Sequence, residues 1–454
     1  MRKNESMKRL IILCLSFLGI VLSTAMYAYT WMEKYHQRYV YNVKLYFWGH
    51  ILMVFVYFVL LCFFNTTYGG MKIGFLKPMD VFFSQGFSLI CVNIITYMQI
   101  SLMEVKLVWA EGLIWMTVAQ IVFSGIWTKF CFYVYRKAFP PRDLLLIHGE
   151  RSIEDIMNKF AGRPDKYQIK KCMDISEGVK AVQKEIIDSK MAVVLWDIPT
   201  TDRNTLFKFC YSRSIRVYMM PKITDVLIKG SDQLHLFDTP ILLSREFSLK
   251  IEQRIAKRTI DIVCSLILLV ISAPIQLITA IAIKVYDGGP VLYKQIRCTT
   301  NGREFEILKF RSMRVDAEKD GVARLASKND SRITPIGKFI RAVRIDELPQ
   351  LFNILKGDMS FIGPRPERPQ IIAQYMEEMP EFALRMKVKA GLAGYAQVYG
   401  KYNTTPYDKL KLDLSYIENY SLWLDIKLML LTLKILFKPE STEGVESNQT
   451  TAMK

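Results

Sequence analysis

Four long apolar runs fill the first third of the chain, approximately Leu10–Met32, Leu45–Phe64, Val81–Met103 and Leu107–Tyr135. Each approaches or exceeds the roughly 20 residues with which a helix crosses the hydrocarbon core of a bilayer. Trp31, Trp48, Trp109 and Trp127 stand toward the run ends, where interfacial aromatics belong. Helices of a soluble core are apolar too, but four such runs in succession favour a membrane anchor. Arg2, Lys3, Lys8 and Arg9 resemble the start of a signal peptide, yet the first run continues beyond signal length and no small-residue pair closes it.

Basic residues orient the anchor. One side would hold Arg2, Lys3, Lys8, Arg9, Lys72, Lys77, Arg136, Lys137 and Arg142, and the other only Lys34, Arg38, Lys44 and Lys106. The richer side belongs in the cytoplasm. An even number of spans then leaves both the N-terminus and everything after Arg136 there. The whole chain carries 61 Lys and Arg against 43 Asp and Glu, a net +18, which suits anionic partners such as lipid headgroups, nucleotides or nucleic acid. Eight scattered cysteines without a CxxC, and only four histidines, argue against a zinc site or a disulfide framework.

At 454 residues the chain has room for roughly three domains. Pro140-Pro141 ends the fourth run, and a new composition follows. Strands are expected at Leu144–Ile147, Met191–Trp196 and Ile215–Met219, with helices at Ser152–Phe160, Gly178–Ser189 and Asp202–Ser212. That alternation implies a parallel, Rossmann-like sheet. The first turn reads His148-Gly149-Glu150-Arg151, without the glycines a dinucleotide needs and with a repelling Glu150. Tyr218/Lys222 and Tyr407/Lys411 match Tyr-x-x-x-Lys, but Pro221 interrupts the first and the second lies outside the module. A structural, regulatory or oligomerising role suits the module better than cofactor binding.

A fifth apolar run, Thr259–Ile283, follows Lys257-Arg258 and is closed by Lys284. Pro274, after Ser272-Ala273, removes a backbone hydrogen bond and kinks the helix. Asp261 near the start is tolerable at headgroup depth. Either the helix spans, or it dips in, turns at Ser272–Pro274 and leaves on its own side. Basic residues at both ends favour re-entry, and Ser272 is a candidate partner for a freed carbonyl.

Residues 254–365 carry 19 Lys and Arg against 11 Asp and Glu, suiting phosphate beside lipid. Within Arg341-Ala-Val-Arg344-Ile-Asp346-Glu347-Leu-Pro349 through Gly357, a helix would start at an Asp346 cap, admit Pro349 in its first turn and stop at Gly357. The plain reading is a cap and a dipole partner. The chemical reading is that Asp346 and Glu347, flanked by Arg341 and Arg344, hold Mg²⁺ against phosphate oxygens, or that an aspartate attacks phosphorus. Asp358 is read as a turn residue. Prolines in Gly363-Pro364-Arg365-Pro366 would hold the Arg365 fork for phosphate. Ala390–Lys401 forms a Gly-rich turn set, and Trp423–Lys438 suits an interfacial helix.

From about Arg254 to Phe437 these motifs resemble the bacterial sugar transferase family of polyprenyl-phosphate hexose-1-phosphate transferases. The carriers are Lys257-Arg258-Thr-Ile-Asp261, Ser272-Ala-Pro274, Lys309-Phe-Arg311-Ser-Met313, Asp346-Glu347-Leu, Leu351 through Ser360 and Gly363-Pro-Arg-Pro366. The anchor and middle module look like the long form of that family, which initiates capsule, exopolysaccharide or O-antigen assembly.

The resemblance implies a four-span anchor (1–138), a cytoplasmic Rossmann-like α/β module (139–250), an α-rich catalytic domain (251–438) with re-entrant helix 257–284, and a disordered tail (439–454). It implies that Asp346 is the nucleophile beside Glu347, with Mg²⁺ near both. Lys309, Arg311, Arg341, Arg365 and Gln397 would contact substrate phosphates or nucleotide. UDP-hexose would be the donor and undecaprenyl phosphate the acceptor, with UMP released. The setting would be the bacterial inner membrane, catalytic domain in the cytoplasm, as a homodimer without nucleic acid. Departures at Tyr399 and Lys401, where the family often has Asn and Arg, leave the sugar open. Rival readings are a membrane-anchored nucleotide-sugar dehydratase or epimerase, which needs the absent glycine motif, and a non-catalytic scaffold, which would tolerate Asp346→Asn.

Overall fold

A computed structural model describes residues 2–35, 47–149, 151–244, 249–315, 330, 332–400 and 404–436. The readings at Arg38, Lys44, Glu150, Lys401 and the 439–454 tail lie outside these residues. The chain divides into two compact units, Met1–Met220 and Pro221–Lys454.

In the first unit, α1 (Arg2–Thr30), α2 (Phe47–Tyr68), α3 (Pro78–Met103) and α4 (Glu111–Ala138) cover the four apolar runs and are long and apolar enough to cross a membrane. Their outer faces expose side chains such as Leu13, Phe55, Ile94 and Ile126. Their interior holds polar side chains among apolar ones. The Tyr57 hydroxyl donates to Asn93 Oδ1 at 2.8 Å, Asn93 Nδ2 donates to Gln120 Oε1 at 3.0 Å, and Gln120 Nε2 donates to the Ser23 carbonyl at 2.9 Å. With lipid outside, hydrogen bonds and packing must hold such a bundle, because hydrocarbon offers no apolar driving force for association.

The same unit continues through β1 (Arg142–His148), α5 (Ile153–Ala161), β2 (Tyr167–Asp174), α6 (Val179–Ser189), β3 (Ala192–Trp196), α7 (Thr200–Ser212) and β4 (Val217–Met219). The four strands form one parallel sheet in the order β2-β1-β3-β4. Three strands were expected; β2 is the addition. It lies at the sheet edge, and its Tyr-Gln-Ile-Lys-Lys-Cys-Met-Asp sequence is mostly exposed. Charged edge strands lack the apolar run that marks central ones. Leu144–Ile147, wholly buried, has that run. Tyr218 ends on β4, where its hydroxyl accepts from Arg142 Nη1.

The second unit opens with α8 (Ile223–Lys229) and the hairpin β5 (Asp232–Leu236) to β6 (Thr239–Leu243). Ile223 and Val226 of α8 share a core with Leu410, Leu414 and Ile417, so in packing terms α8 belongs to this unit and not to the α/β module. Then follow α9 (Ile251–Asp287), the antiparallel pair β7 (Leu292–Cys298) and β8 (Glu304–Phe310), α10 (Pro335–Ala342), α11 (Gln350–Lys356) and β9 (Ser360–Ile362). The chain ends through α12 (Pro369–Glu378), β10 (Gly391–Ala393), α13 (Tyr395–Tyr399), α14 (Pro406–Glu418) and α15 (Leu422–Leu436). β9 and β10 pair in parallel.

Helix α9 is the fifth candidate span, and it runs unbroken through Pro274. Ser272 Oγ donates to the Leu268 carbonyl, and Gln276 Nε2 donates to Ser272 Oγ at 2.8 Å. Near its N-terminus three charged groups are tied to the folded core. Lys257 Nζ donates to Asp425 at 2.6 Å and to the Ile362 carbonyl at 2.9 Å. Arg258 donates to the carbonyls of Ile354 and Leu355, both at 2.6 Å. Asp261 accepts from Ser360 Oγ and from the Phe361 amide. At its C-terminus Asp287 pairs with Arg311, and Ile283 packs on Phe310 and Ile340. Helix α15 buries Asp425 and Leu428 while exposing Trp423 and Leu433, so Asp425 faces Lys257 and not the polar side of an interfacial helix.

Candidate active site

The acidic pair sits on a short 3-10 turn, Ile345–Glu347, between α10 and α11. Thr334 caps α10 by accepting from the Gly337 amide, and Pro335 takes its first position. Gly337 is required there because a Cβ would overlap the Ser312 carbonyl, so α10 presses on the strand end that carries Lys309. The chain leaves α10 through Arg344, whose φ of 56° is left-handed. A side chain there costs about 1–2 kcal/mol. This reversal turns Asp346 and Glu347 back toward β8. The expected Asp346 helix cap does not form: α11 starts at Gln350 with Pro349 before it, and no side chain caps it. Pro349 has no amide hydrogen to cap, and its fixed φ starts the helix. Gly357 ends α11 at φ 95°, as its residue type requires.

Glu347 is the hub of the charges. Its Oε1 accepts from Lys309 Nζ and from Arg365 Nη2, each at 3.0 Å, while among the described residues its Oε2 has only Arg344 at 3.8 Å. Burial alone would raise its pKa, but Lys309, Arg365 and Arg344 together hold it far below the usual carboxylate range. Lys309 is lowered by burial, which Glu347 only partly offsets. Asp346 differs. It makes no hydrogen bond or close ion pair among the described residues, and burial, followed by the charge of Glu347, raises its pKa to about 6 against the pull of Lys309, Arg341 and Arg365. One acid is thus held by cations that favour its ionised form; its neighbour is desolvated and makes no hydrogen bond or close ion pair among the described residues.

Of the residues picked from sequence, the fold gathers Lys309, Arg341, Arg365, Asp346 and Glu347. Among the described residues Arg311 is braced against Asp287 at the end of α9, 7% exposed, and pairs with neither Asp346 nor Glu347. Gln397 on α13 donates to the Leu392 carbonyl and makes no contact with the acidic pair; its Oε1 is buried without a partner. Ser272 and Pro274 lie within α9. Asp358 follows α11 and pairs with Arg303 at 3.1 Å and Lys356 at 3.4 Å.

Behind Arg365 lies a charged layer that sequence reasoning missed. Glu367 meets Lys409 at 2.6 Å, Arg297 at 3.5 Å and Arg385 at 3.9 Å. Despite burial, these cations hold its carboxyl down to about 2. Arg385 meets Asp413 at 2.7 Å, and both are almost fully buried. The partners are far apart in the chain, and no local pattern marks them.

For a divalent cation, no group of three or more His, Cys, Asp or Glu forms among the described residues. Mg²⁺ is nevertheless commonly bound by one or two carboxylates plus substrate phosphates and water. The Asp346 carboxylate and Glu347 Oε2, which accepts no hydrogen bond, fit that modest demand.

The second unit thus places an unpaired acid beside an arginine- and lysine-bound one near the C-terminal end of an apolar helix, among the described residues. Residues 252–439 match the bacterial sugar transferase family. A UDP-N-acetylgalactosamine-undecaprenyl-phosphate N-acetylgalactosaminephosphotransferase of Aeromonas hydrophila is 43% identical over 183 residues, 40% of this chain and 43% of that protein. A UDP-glucose:undecaprenyl-phosphate glucose-1-phosphate transferase of Caulobacter vibrioides is 39% identical over 190 residues, 41% of this chain and 71% of its own. An uncharacterized sugar transferase of Haemophilus influenzae is 31% identical over 328 residues, 65% of this chain and 69% of its own. The chain thus spans under half of the Aeromonas relative. It belongs to the bacterial sugar transferase family.

Proposed function

We propose that this chain transfers a hexose-1-phosphate from a UDP-sugar to undecaprenyl phosphate at the cytoplasmic face of the bacterial inner membrane, initiating capsule, exopolysaccharide or O-antigen synthesis. The observation that carries the reading is the contrast within the acidic pair: Asp346 unbonded and raised, Glu347 held by Lys309 and Arg365. The Asp346 carboxylate attacks the sugar-linked phosphorus. A phosphorus–oxygen bond forms as the bond to UMP breaks, and UMP leaves with that oxygen. The phosphate of the acceptor then attacks the same phosphorus, the aspartyl bond breaks, and the diphosphate-linked sugar departs while Asp346 returns as carboxylate. Lys309, Arg341 and Arg365 meet the phosphate charge that develops. Asp346 and Glu347 Oε2, with the donor phosphates, would hold Mg²⁺, which supplies charge neutralisation at phosphate oxygens when bound.

The placement follows from α9. A straight helix of 37 residues is about 55 Å long and would put its ends on opposite sides of a bilayer. Here contacts near its two ends lead to α11, which is tied to β8, and to the residue just past β8. Arg258 binds the Ile354 carbonyl, and the adjacent Asn353 binds the Leu308 amide at 2.9 Å; Asp287 binds Arg311, three residues beyond Leu308. This supports a helix that bends at Pro274 and re-enters one leaflet, lowering the acidic pair to headgroup level, where a soluble donor and a lipid acceptor can meet. The module of β1–β4 is read as Rossmann-like and without a cofactor.

The test uses membranes carrying the wild-type chain or Asp346→Asn, undecaprenyl phosphate, and a panel of labelled UDP-hexoses. Wild type should move label into lipid, and a brief incubation without acceptor should leave label on protein. Asp346→Asn should do neither. Full transfer by the Asn variant would refute the covalent mechanism.

A further inference from the structure

Arg365 reaches Glu347 from the loop 363–368, and that loop is held mainly through its own carbonyls. The Gly391 amide donates to Pro364 O at 2.9 Å, Arg297 Nη1 to Pro366 O at 3.1 Å, and the Cys298 amide to Glu367 O at 3.0 Å. The carbonyl of Arg365 itself accepts from Arg385 Nη2 at 3.0 Å. Arg385 is 3% exposed; its Nε donates to Asp413 Oδ2 at 2.9 Å and its Nη2 lies 2.7 Å from the same oxygen, an ion pair that holds the guanidinium in place. Neither Arg385 nor Asp413 contacts Asp346 or Glu347.

A buried ion pair is weak ground for stability, since apolar residues of equal volume often do as well. This pair does something an apolar pair cannot: it delivers a fixed hydrogen-bond donor to the backbone of the arginine that clamps Glu347. Arg365 itself is a long side chain, about a third exposed and with a single partner on its guanidinium. A small shift of its Cα would move that guanidinium off the Glu347 oxygen. Misplacement by about 1 Å can cost on the order of a hundredfold in rate.

We infer that Arg385 and Asp413 are positioning residues that aim Arg365 at Glu347 and the donor phosphate, acting through the loop that carries Arg365, whose Arg365 carbonyl Arg385 binds and whose Glu367 it meets at 3.9 Å. The inference rests on the proposed transferase reading, and it makes a claim that a merely structural role does not: the effect of Arg385 must vanish once Arg365 is gone.

The experiment is a double-mutant cycle on the full-length chain in native membranes or nanodiscs, with rates per mole of folded, inserted protein and the UDP-hexose that wild type uses best. Arg385→Gln should lower kcat by about 10- to 100-fold. Asp413→Asn, which keeps an oxygen for Arg385 Nε, should lose less, and Arg385→Lys should recover part of the loss. Arg365→Ala should lose at least as much as Arg385→Gln. The double variant Arg365→Ala/Arg385→Gln should match Arg365→Ala within about twofold. If Arg385→Gln fails to insert, the same cycle is run with the near-isosteric Asp413→Asn. Losses that multiply in the double variant would overturn the positioning role while leaving the transferase reading intact. A wild-type chain inactive with every UDP-hexose would overturn both.

Discussion

Asp425→Asn probes the joint where the membrane helix meets the catalytic fold. Lys257 Nζ, on the first turns of α9, is buried among the Asp425 carboxylate at 2.6 Å, the Ile362 carbonyl at 2.9 Å and the Tyr416 hydroxyl at 3.4 Å. Tyr416 in turn donates to the other oxygen of Asp425 at 2.8 Å. The substitution keeps the shape and removes the charge, leaving an ammonium with only neutral acceptors in direct contact. Breaking one side of a buried pair costs about 3–5 kcal/mol. Asp261, one helical turn from Lys257, supplies residual negative charge although its Oδ1 is already bonded to Ser360 and Phe361. That places the expected loss at the lower end, about 3 kcal/mol. For a unit of this size, 1 kcal/mol moves the midpoint by about 2–4 °C, so the thermal transition should fall by about 6–12 °C. The assay is thermal unfolding of the purified chain in nanodiscs at one fixed scan rate, with Lys257→Met and the double variant alongside. The double variant should recover most of the loss, because two apolar side chains replace the pair at little cost. A fall under about 2 °C for Asp425→Asn, or a double variant as impaired as the sum of the singles, would refute the reasoning.

The acid limb of kcat/KM should lie near pH 6, because under the proposed mechanism Asp346 attacks as carboxylate and its pKa is raised to about 6. Asp346 binds its proton more tightly folded than unfolded, so between the ordinary carboxylate range and that pH its contribution to stability grows as pH falls. The activity loss should therefore not coincide with unfolding; a limb near the ordinary Asp range would contradict the desolvated acid. Single cysteines at Lys250 and Gly289, in a chain whose own cysteines are replaced, should both react with an impermeant maleimide only in inside-out vesicles. Labelling of the second from the outer face would show that α9 spans. Gly363→Ala should fold but transfer about 10- to 100-fold more slowly, since a Cβ there meets the Lys389 carbonyl and displaces the loop that carries Arg365; unchanged kcat would show the loop has room to give.

Much of this architecture was legible because its signals are local. Apolar runs of span length mark α1 to α4 and α9, the strand at Leu144–Ile147 is continuous in apolar residues, and Gly357 stops α11 where a left-handed residue is needed. Of the site, Asp346, Glu347, Lys309, Arg341 and Arg365 could be picked because acids and bases cluster in short motifs. What stayed hidden depends on pairs far apart in the chain. The partner of Lys257 is Asp425, that of Arg385 is Asp413, and Arg311 faces Asp287 although its motif neighbour Lys309 faces Glu347. Arg311 stands two residues past Lys309, just beyond the end of β8, and serves as a brace. Edge strand β2 was missed for want of an apolar core face, and the 3-10 turn at Asp346 because a cap and a tight turn favour the same residue types.

Where β9 and β10 meet, the backbones of Gly363, Gly391 and Gly394 lie so close that a Cβ on any of them would strike main-chain atoms of the opposing strand. Side-chain contacts can be retuned by swapping a rotamer or trimming a methyl group, but this junction has no such freedom. At this junction the distance between the start of the Arg365 loop and β10 is set by peptide planes. Under the proposed transferase reading, adaptation to a different sugar would consequently have to come from residues away from this junction, with the spacing of the proposed phosphate-binding end left unchanged.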